Sequence, residues 1–224
     1  LKARVALLER EKAFTKERDA LSKARQSLPW VEVSKDYVFD TPDGKRSLGD
    51  LFGDHSQLVV YHFMYGPDWQ AGCKSCSFWA DNFDGVVEHL AARDVTFVAI
   101  SRAPLETLEA FKKRMGWHFD WVSSLDSDFN YDFDVSFKPE AREKDAIRYN
   151  DRPSSFPADE APGISVFTRN RDGRIYHSYS TYGRGLDMLN AGYHFLDLVP
   201  KGRDEDGLPY PMDWLRLKDE YGKS

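Results

Sequence analysis

"LVVYHFMYGPDWQAGCKSCSFWADNFDGVVEHLAARDVTFVAI", residues 58–100, decides the fold. Leu58 to Tyr65 is a continuous apolar run, the signature of a strand buried on both faces. His62, in its middle, reads as a hydrogen-bonded core residue. A helix starts near Cys76, with Trp79, Phe83, Val86, Val87 and Leu90 on one face. Val95 to Ile100 is a second buried strand. Strand, helix and buried strand in this order predict a right-handed βαβ crossover with parallel strands.

Downstream, Pro104 opens a second helix with the stripe Leu105, Leu108, Phe111 and Met115, and Gly116 stops it. Phe119 to Ser123 suits a third strand. Residues 138–162 are polar and rich in Pro, Ser and charge, which predicts an insertion or lid loop outside the core. Ile164–Phe167 and Arg174–Ser180 form a hairpin around Asn170–Gly173. A last core helix carries Leu186, Leu189, Tyr193 and Leu196. The tail, residues 200–224, wraps back through Trp214 and Leu215.

Upstream, Tyr37–Phe39 is a short strand, Thr41–Gly44 a turn, and Ser47 the cap of one helical turn ending at Gly53. Residues 1–28 read as a helical arm, with Leu7, Phe14, Leu21 and Leu28 in heptad spacing. Charged residues such as Arg10, Glu11 and Arg18 leave the seam half filled. This predicts a solvated helix whose apolar edge packs on its own domain or on a twin subunit, which allows a homodimer. The expected organisation is an arm, 1–28, and one domain, 29–224, with the insertion and the tail attached.

The composition limits the function. The chain of 224 residues is 41% hydrophobic and 30% charged, enough for a core without disulfides. A net charge of −6 gives no general affinity for nucleic acid. The longest apolar run is too short to span a bilayer, so no membrane partner is expected. The chain begins at Leu1 and shows no secretory pattern, although a trimmed leader and export stay open. Two cysteines without a larger framework suit a reducing compartment, and the expected setting is the cytoplasm.

Those cysteines, Cys73 and Cys76, are the candidate site. They lie between the end of a buried strand and the start of an amphipathic helix, whose N-terminus favours a thiolate. Lys74 adds a cation beside them; Asp68 and Asp81 offset it if they lie close. Counting back from Leu90, Phe83 and Trp79 puts Cys76 on the core stripe and Cys73 in the cap. Cys73 should therefore attack and Cys76 resolve. Trp69 is a stacking surface beside the pair, or an aromatic that closes it.

Alternatives stay open. A metal site needs more ligands, and there is no second Cys-x-x-Cys and no tight histidine pair, but a site assembled across a dimer would meet the need. A structural disulfide over so short a loop restricts the unfolded chain little. A binding or scaffold protein with an idle pair is the rival from another class. Asp128, Asp132 and Asp134 lack the glycine and terminal Glu of a calcium loop and read as a solvated acidic, aromatic loop. Gly183-Arg-Gly185 reads as a turn before a helix.

Taken together, "LPWVEVSKDYVF" (28–39), "YHFMYGPDW" (61–69), "GCKSCSFWADNF" (72–83), "SRAPL" (101–105), "DSDFNYDFDVSF" (126–137) and "YHSYSTYGRGLD" (176–187) resemble a bacterial family catalogued as a domain of unknown function. Its members are predicted dithiol–disulfide oxidoreductases. "DGKRSLGDLF" (43–52) is more distantly similar to the peroxiredoxin and thioredoxin superfamily. The resemblance implies an α/β, thioredoxin-like three-layer fold, a central mixed sheet flanked by helices, with the arm, the insertion and the tail added. It implies Cys73 and Cys76 as the active dithiol, supported by Pro67, Trp69, Lys74 and Ser75, with no cofactor or metal. Pro162 is the nearest residue to the cis-proline that thioredoxins place opposite the dithiol. The peroxidase pattern Pro-x-x-x-Thr/Ser-x-x-Cys is not met: Pro67 stands six residues before Cys73, and Gln70 three before it. The expected partners are a disulfide substrate and a reductant, both unidentified.

Overall fold

The structure, a computed structural model, describes residues 1–144 and 146–222. Residue 145 of the insertion and residues 223–224 of the tail lie outside it. The centre is β4 (Gln57–His62), paired in parallel with β5 (Val95–Ser101), which pairs in parallel with β6 (Asp120–Ser123). Two crossovers in one direction place their helices, α2 (Lys74–Phe83) and α4 (Leu105–Met115), on the same face. On its other side β4 pairs antiparallel with β9 (Gly163–Arg169), which forms a hairpin with β10 (Ile175–Tyr182).

Edge strands complete the sheet. β1 (Val31–Glu32) adds to β10, while β2 (Val38–Thr41) and β3 (Gly44–Ser47) form a hairpin beyond β6. Among the described residues this makes an eight-stranded mixed sheet in the order β1-β10-β9-β4-β5-β6-β2-β3. The strand–helix–strand unit followed by an antiparallel hairpin and a closing helix, α7 (Ala191–Leu196), is the thioredoxin-like fold expected from the sequence.

Period-two alternation on β4 and β5 divides the core. Tyr61, Phe63, Phe97 and Ala99 face α2, α4 and α7. Leu58, Val60, Val98 and Ile100 face a 3-10 turn (Asp50–Phe52) and α5 (Phe129–Asp132). Phe129 is the hub of that second layer. Its ring lies 5.0 Å from Tyr37, 5.1 Å from Phe39 and 4.7 Å from Phe133. The stretch expected to be a solvated loop is thus a helical turn with a core residue at its start. Only its acidic side is solvated, where Lys35 bridges Asp128 and Asp132 at 3.0 and 2.6 Å.

His62 is buried and hydrogen-bonded, as expected of a mid-strand histidine. Its Nε2 meets Ser165 Oγ at 2.8 Å, Ser165 meets Ser180 at 2.8 Å, and Ser180 meets His177 Nε2 at 2.7 Å. Burial pushes His62 down to about 3, so it is neutral.

Several boundaries differ from the sequence reading. The helix expected through Leu90 is two, because α2 ends at Phe83 and α3 spans Val87–Ala91. Asp84 between them turns its carboxylate to the backbone N–H groups of His118 and Phe119. The last helix is likewise split into a 3-10 turn (Gly183–Leu189) and α7, because the Asn190 side chain accepts the Tyr193 N–H and caps a new helix. Leu189 is consequently exposed.

The insertion is ordered into α6 (Pro139–Glu143) and a small hairpin of β7 (Ile147–Tyr149) and β8 (Arg152–Ser154). Ile147, Tyr149 and Ala161 are buried with Val135, Phe137 and Tyr182 in a satellite core. The tail packs through Trp214 and Leu215, as expected, and also through Leu217.

The arm is a single helix, α1 (Lys2–Gln26), with no buried residue. Its heptad row Leu7, Phe14, Leu21 and Leu28 is exposed, so of the two expected placements of that edge, on its own domain or on a twin subunit, the first does not occur. Among the described residues no helix is long and apolar enough to cross a membrane.

Replacing Phe129 by Ala removes the hub of the second layer and should cost about 3–5 kcal/mol. Urea unfolding should show a lower midpoint at an unchanged slope. A midpoint within error of the wild type would contradict this account of the core.

Candidate dithiol site

The chain leaves β4 and runs beside β5, where Phe63 N–H donates to the Ile100 carbonyl and Ala103 N–H to the Tyr65 carbonyl. It turns at Gly66–Trp69, and Cys73 N–H donates to the Met64 carbonyl at 3.1 Å. Gly72 makes this close return feasible: a Cβ there would sit 2.9 Å from the Phe63 ring and 3.0 Å from Phe111. Cys73 is then the N-cap of α2, and its Sγ accepts the Cys76 N–H at 3.4 Å.

The two sulfurs differ as the helical register predicts. Cys73 is half-buried and Cys76 is 3% exposed. Hydrogen bonding from the Cys76 side chain, helped by the Cys76 and Ser75 N–H groups, holds the Cys73 thiol at about 7 against the opposing effect of burial. Burial, and then the hydrogen bond to Cys73, pushes the Cys76 thiol well above the ordinary range. Of the two thiols, Cys73 therefore ionises first, while Cys76 keeps its proton.

A cavity of about 560 Å³ opens at the pair. Its floor is Cys73, Cys76 and Tyr61, whose hydroxyl donates to the Cys76 carbonyl. One wall is Trp69 and Trp79. The insertion contributes Tyr149, Phe156 and Pro157, and the tail contributes Tyr210 and Met212. Arg184 stands at the rim, paired with Asp187 at 2.8 Å.

Of the residues expected to support the pair, Trp69, Lys74, Ser75 and Pro162 line this cavity. Pro67 does not; it sits in the Gly66–Trp69 turn. Lys74 is in place but differently engaged, since its Nζ donates to the Asp213 carbonyl. The peptide bond before Pro162 is trans, so the cis geometry of thioredoxins is not realised. The Pro162 carbonyl instead accepts the Tyr149 hydroxyl at 2.7 Å.

The sequence reading missed Tyr149, Phe156, Tyr210 and Met212. Their one signal was aromatic or apolar residues within otherwise polar segments. It also missed Glu160, which anchors the insertion. Glu160 is 1% exposed and accepts Arg102 Nη1 at 2.9 Å and Ser136 Oγ at 2.5 Å. Burial pushes its carboxyl up to about 7, while Ser136 and Arg102 pull the other way. The adjacent Asp159 accepts the Trp69 indole N–H at 3.1 Å, so this anchor also fixes a cavity wall.

The chain belongs to the family described as "Bacterial protein of unknown function (DUF899)", whose model matches residues 1–221. This is the kind of family that the quoted motifs resemble. No curated protein matches. Among solved structures, peroxidoxin BcpB from Mycobacterium tuberculosis is similar at 14% identity and a TM-score of 0.46, over 73% of this chain and 93% of that one. Plasmodium yoelii Prx1a is similar at 14% and 0.46, over 83% and 98%. The mitochondrial 2-Cys peroxiredoxin of Plasmodium falciparum is similar at 12% and 0.44, over 81% and 98%.

Two titrations follow. Iodoacetamide should alkylate Cys73 with a midpoint at about pH 7, and Cys76→Ala should move it upward by removing the leading hydrogen bond. A wild-type midpoint near the ordinary thiol value of about 8.5 would refute the assignment. For Glu160, the folded pKa of about 7 lies above the unfolded value, so the folded state holds the proton more tightly. Its contribution to stability is full below the unfolded pKa and is lost as pH rises through the folded one. Urea midpoints should therefore fall in the wild type relative to Glu160→Gln between about pH 5 and pH 8. A pH-independent difference would count against it.

Proposed function

We propose that this protein is a thiol–disulfide oxidoreductase of the Cys-x-x-Cys type. The carrying observation is the division of labour at the start of α2: Cys73, half-buried and low in pKa, beside Cys76, buried and protonated. The Cys73 thiolate attacks a substrate disulfide and releases one thiolate. Cys76 then gives up its proton and attacks the Cys73 sulfur of the mixed disulfide. The second thiolate leaves, and the protein keeps a Cys73–Cys76 disulfide.

Cys73, Cys76 and the hydrogen bonds around them suffice for this chemistry, without an organic cofactor or a metal. An external dithiol restores the pair, in keeping with a cytoplasmic setting. Ser75, next to Cys76 in the first turn of α2, adds to the lowering of the Cys73 thiol.

The test is trapping. Cys76→Ser should accumulate a mixed disulfide with its substrate, seen as a mass shift reversed by dithiothreitol, and Cys73→Ser should accumulate none. The reverse pattern would exchange the two roles. The wild-type pair should equilibrate with glutathione or dithiothreitol buffers at about −120 to −270 mV. A midpoint below about −300 mV would mark a structural disulfide instead.

A further inference from the structure

We infer that the dithiol acts on small disulfides with apolar, aromatic bodies rather than on the disulfides of folded proteins. This rests on the proposed redox chemistry and adds the substrate class, which the cavity walls determine. About 560 Å³ is the size of a pocket for a small molecule, and it opens directly onto Cys73.

The polar ends of the aromatic walls are already engaged. Trp69 Nε1 donates to Asp159, and Trp79 Nε1 to the Leu186 carbonyl at 2.9 Å. The Tyr149 hydroxyl donates to the Pro162 carbonyl and accepts the Gly183 N–H at 2.8 Å. Tyr61 donates to the Cys76 carbonyl. What these rings offer a guest is therefore apolar surface and π faces, suited to stacking.

A polar guest fares badly in such a site. A peptide segment carrying a disulfide brings N–H and C=O groups that these walls cannot satisfy, and glutathione disulfide brings buried charges. The two cations that line the cavity are engaged as well, Lys74 with the Asp213 carbonyl and Arg184 with Asp187. Phe156 from the insertion and Tyr210 from the tail add further aromatic surface to the lining.

The reaction balances without another reactant. Reduced protein and one R–S–S–R give the Cys73–Cys76 disulfide and two R–SH, with two electrons passing to the substrate; one product takes the Cys76 proton, and the other takes from water the proton that Cys73 released on ionising.

The experiment is a single turnover of the pre-reduced full chain, without reductant, read by alkylation and mass. Diphenyl disulfide, glutathione disulfide and insulin serve as oxidants, and each rate is normalised to that of dithiothreitol with the same oxidant to remove leaving-group effects. The normalised rate for diphenyl disulfide should exceed that for glutathione disulfide by about 100-fold. Phe156→Ala and Tyr210→Ala should each lower it by about tenfold.

In parallel, Cys73→Ser/Cys76→Ser, which cannot react, should bind the thioether diphenyl sulfide saturably by tryptophan quenching, and adding Tyr210→Ala should weaken that binding. Equal normalised rates, or turnover of insulin above diphenyl disulfide, would overturn the substrate class and leave the dithiol chemistry standing. Oxidation by none of the three would overturn the redox reading itself. Saturable binding of the thioether in that case would still support the apolar site.

Discussion

The bond from the Cys73 N–H to the Met64 carbonyl is the constraint on which the site depends. It closes the loop between β4 and α2, and it satisfies one of the N–H groups that a helix start leaves unpaired. The sulfur at the cap is thereby free to accept the Cys76 N–H. The near end of the loop is itself fixed, because Phe63 and Tyr65 remain hydrogen-bonded to β5 and its continuation. The position of the thiolate is thus inherited from the centre of the sheet.

Around this centre, two buried or half-buried carboxylates organise the added segments in different ways. Glu205 gathers the tail, since one oxygen accepts the Tyr193 hydroxyl, the Trp214 indole N–H and the Met212 N–H at 2.7–3.0 Å. Burial works against its charge, yet these donors and Arg203 hold it below the usual range. Glu160 gathers the insertion with fewer donors and deeper burial, and the balance tips the other way. The tail is therefore fastened by a fixed charge, and the insertion by a group that titrates near neutrality.

The parts legible in the sequence were those governed by local pattern: the buried runs of β4 and β5, the stripe of α4, and the register that separates Cys73 from Cys76. The parts that were not legible depend on partners distant in sequence. Nothing local in "NFDGVV" reports that Asp84 will serve the backbone at His118 and Phe119 and so end a helix. The insertion read as solvated because its charges were counted and its few apolar residues were not. Tyr149 and Phe156 become walls only when Glu160 anchors on Arg102, 58 residues away in sequence. The edge strand β3 escaped notice because both its faces are exposed and it carries no apolar alternation.

The chain of hydrogen bonds from His62 to His177 crosses three strands and has a direction. His62 Nδ1 is buried with no partner among the described residues. An orphaned lone pair is tolerated there more readily than an orphaned N–H, so the His62 proton belongs on Nε2. His62 then donates to Ser165, Ser165 to Ser180, and Ser180 to His177 Nε2, which leaves the His177 proton on Nδ1. The four groups form a single file whose sense is set at its innermost member. His177 can take a proton on Nε2 only if the Ser180 hydroxyl turns away, and to keep every link the whole file must reverse and bury an unpaired N–H in the core. In this way a tautomer in the middle of the sheet restrains the basicity of an imidazole near its edge.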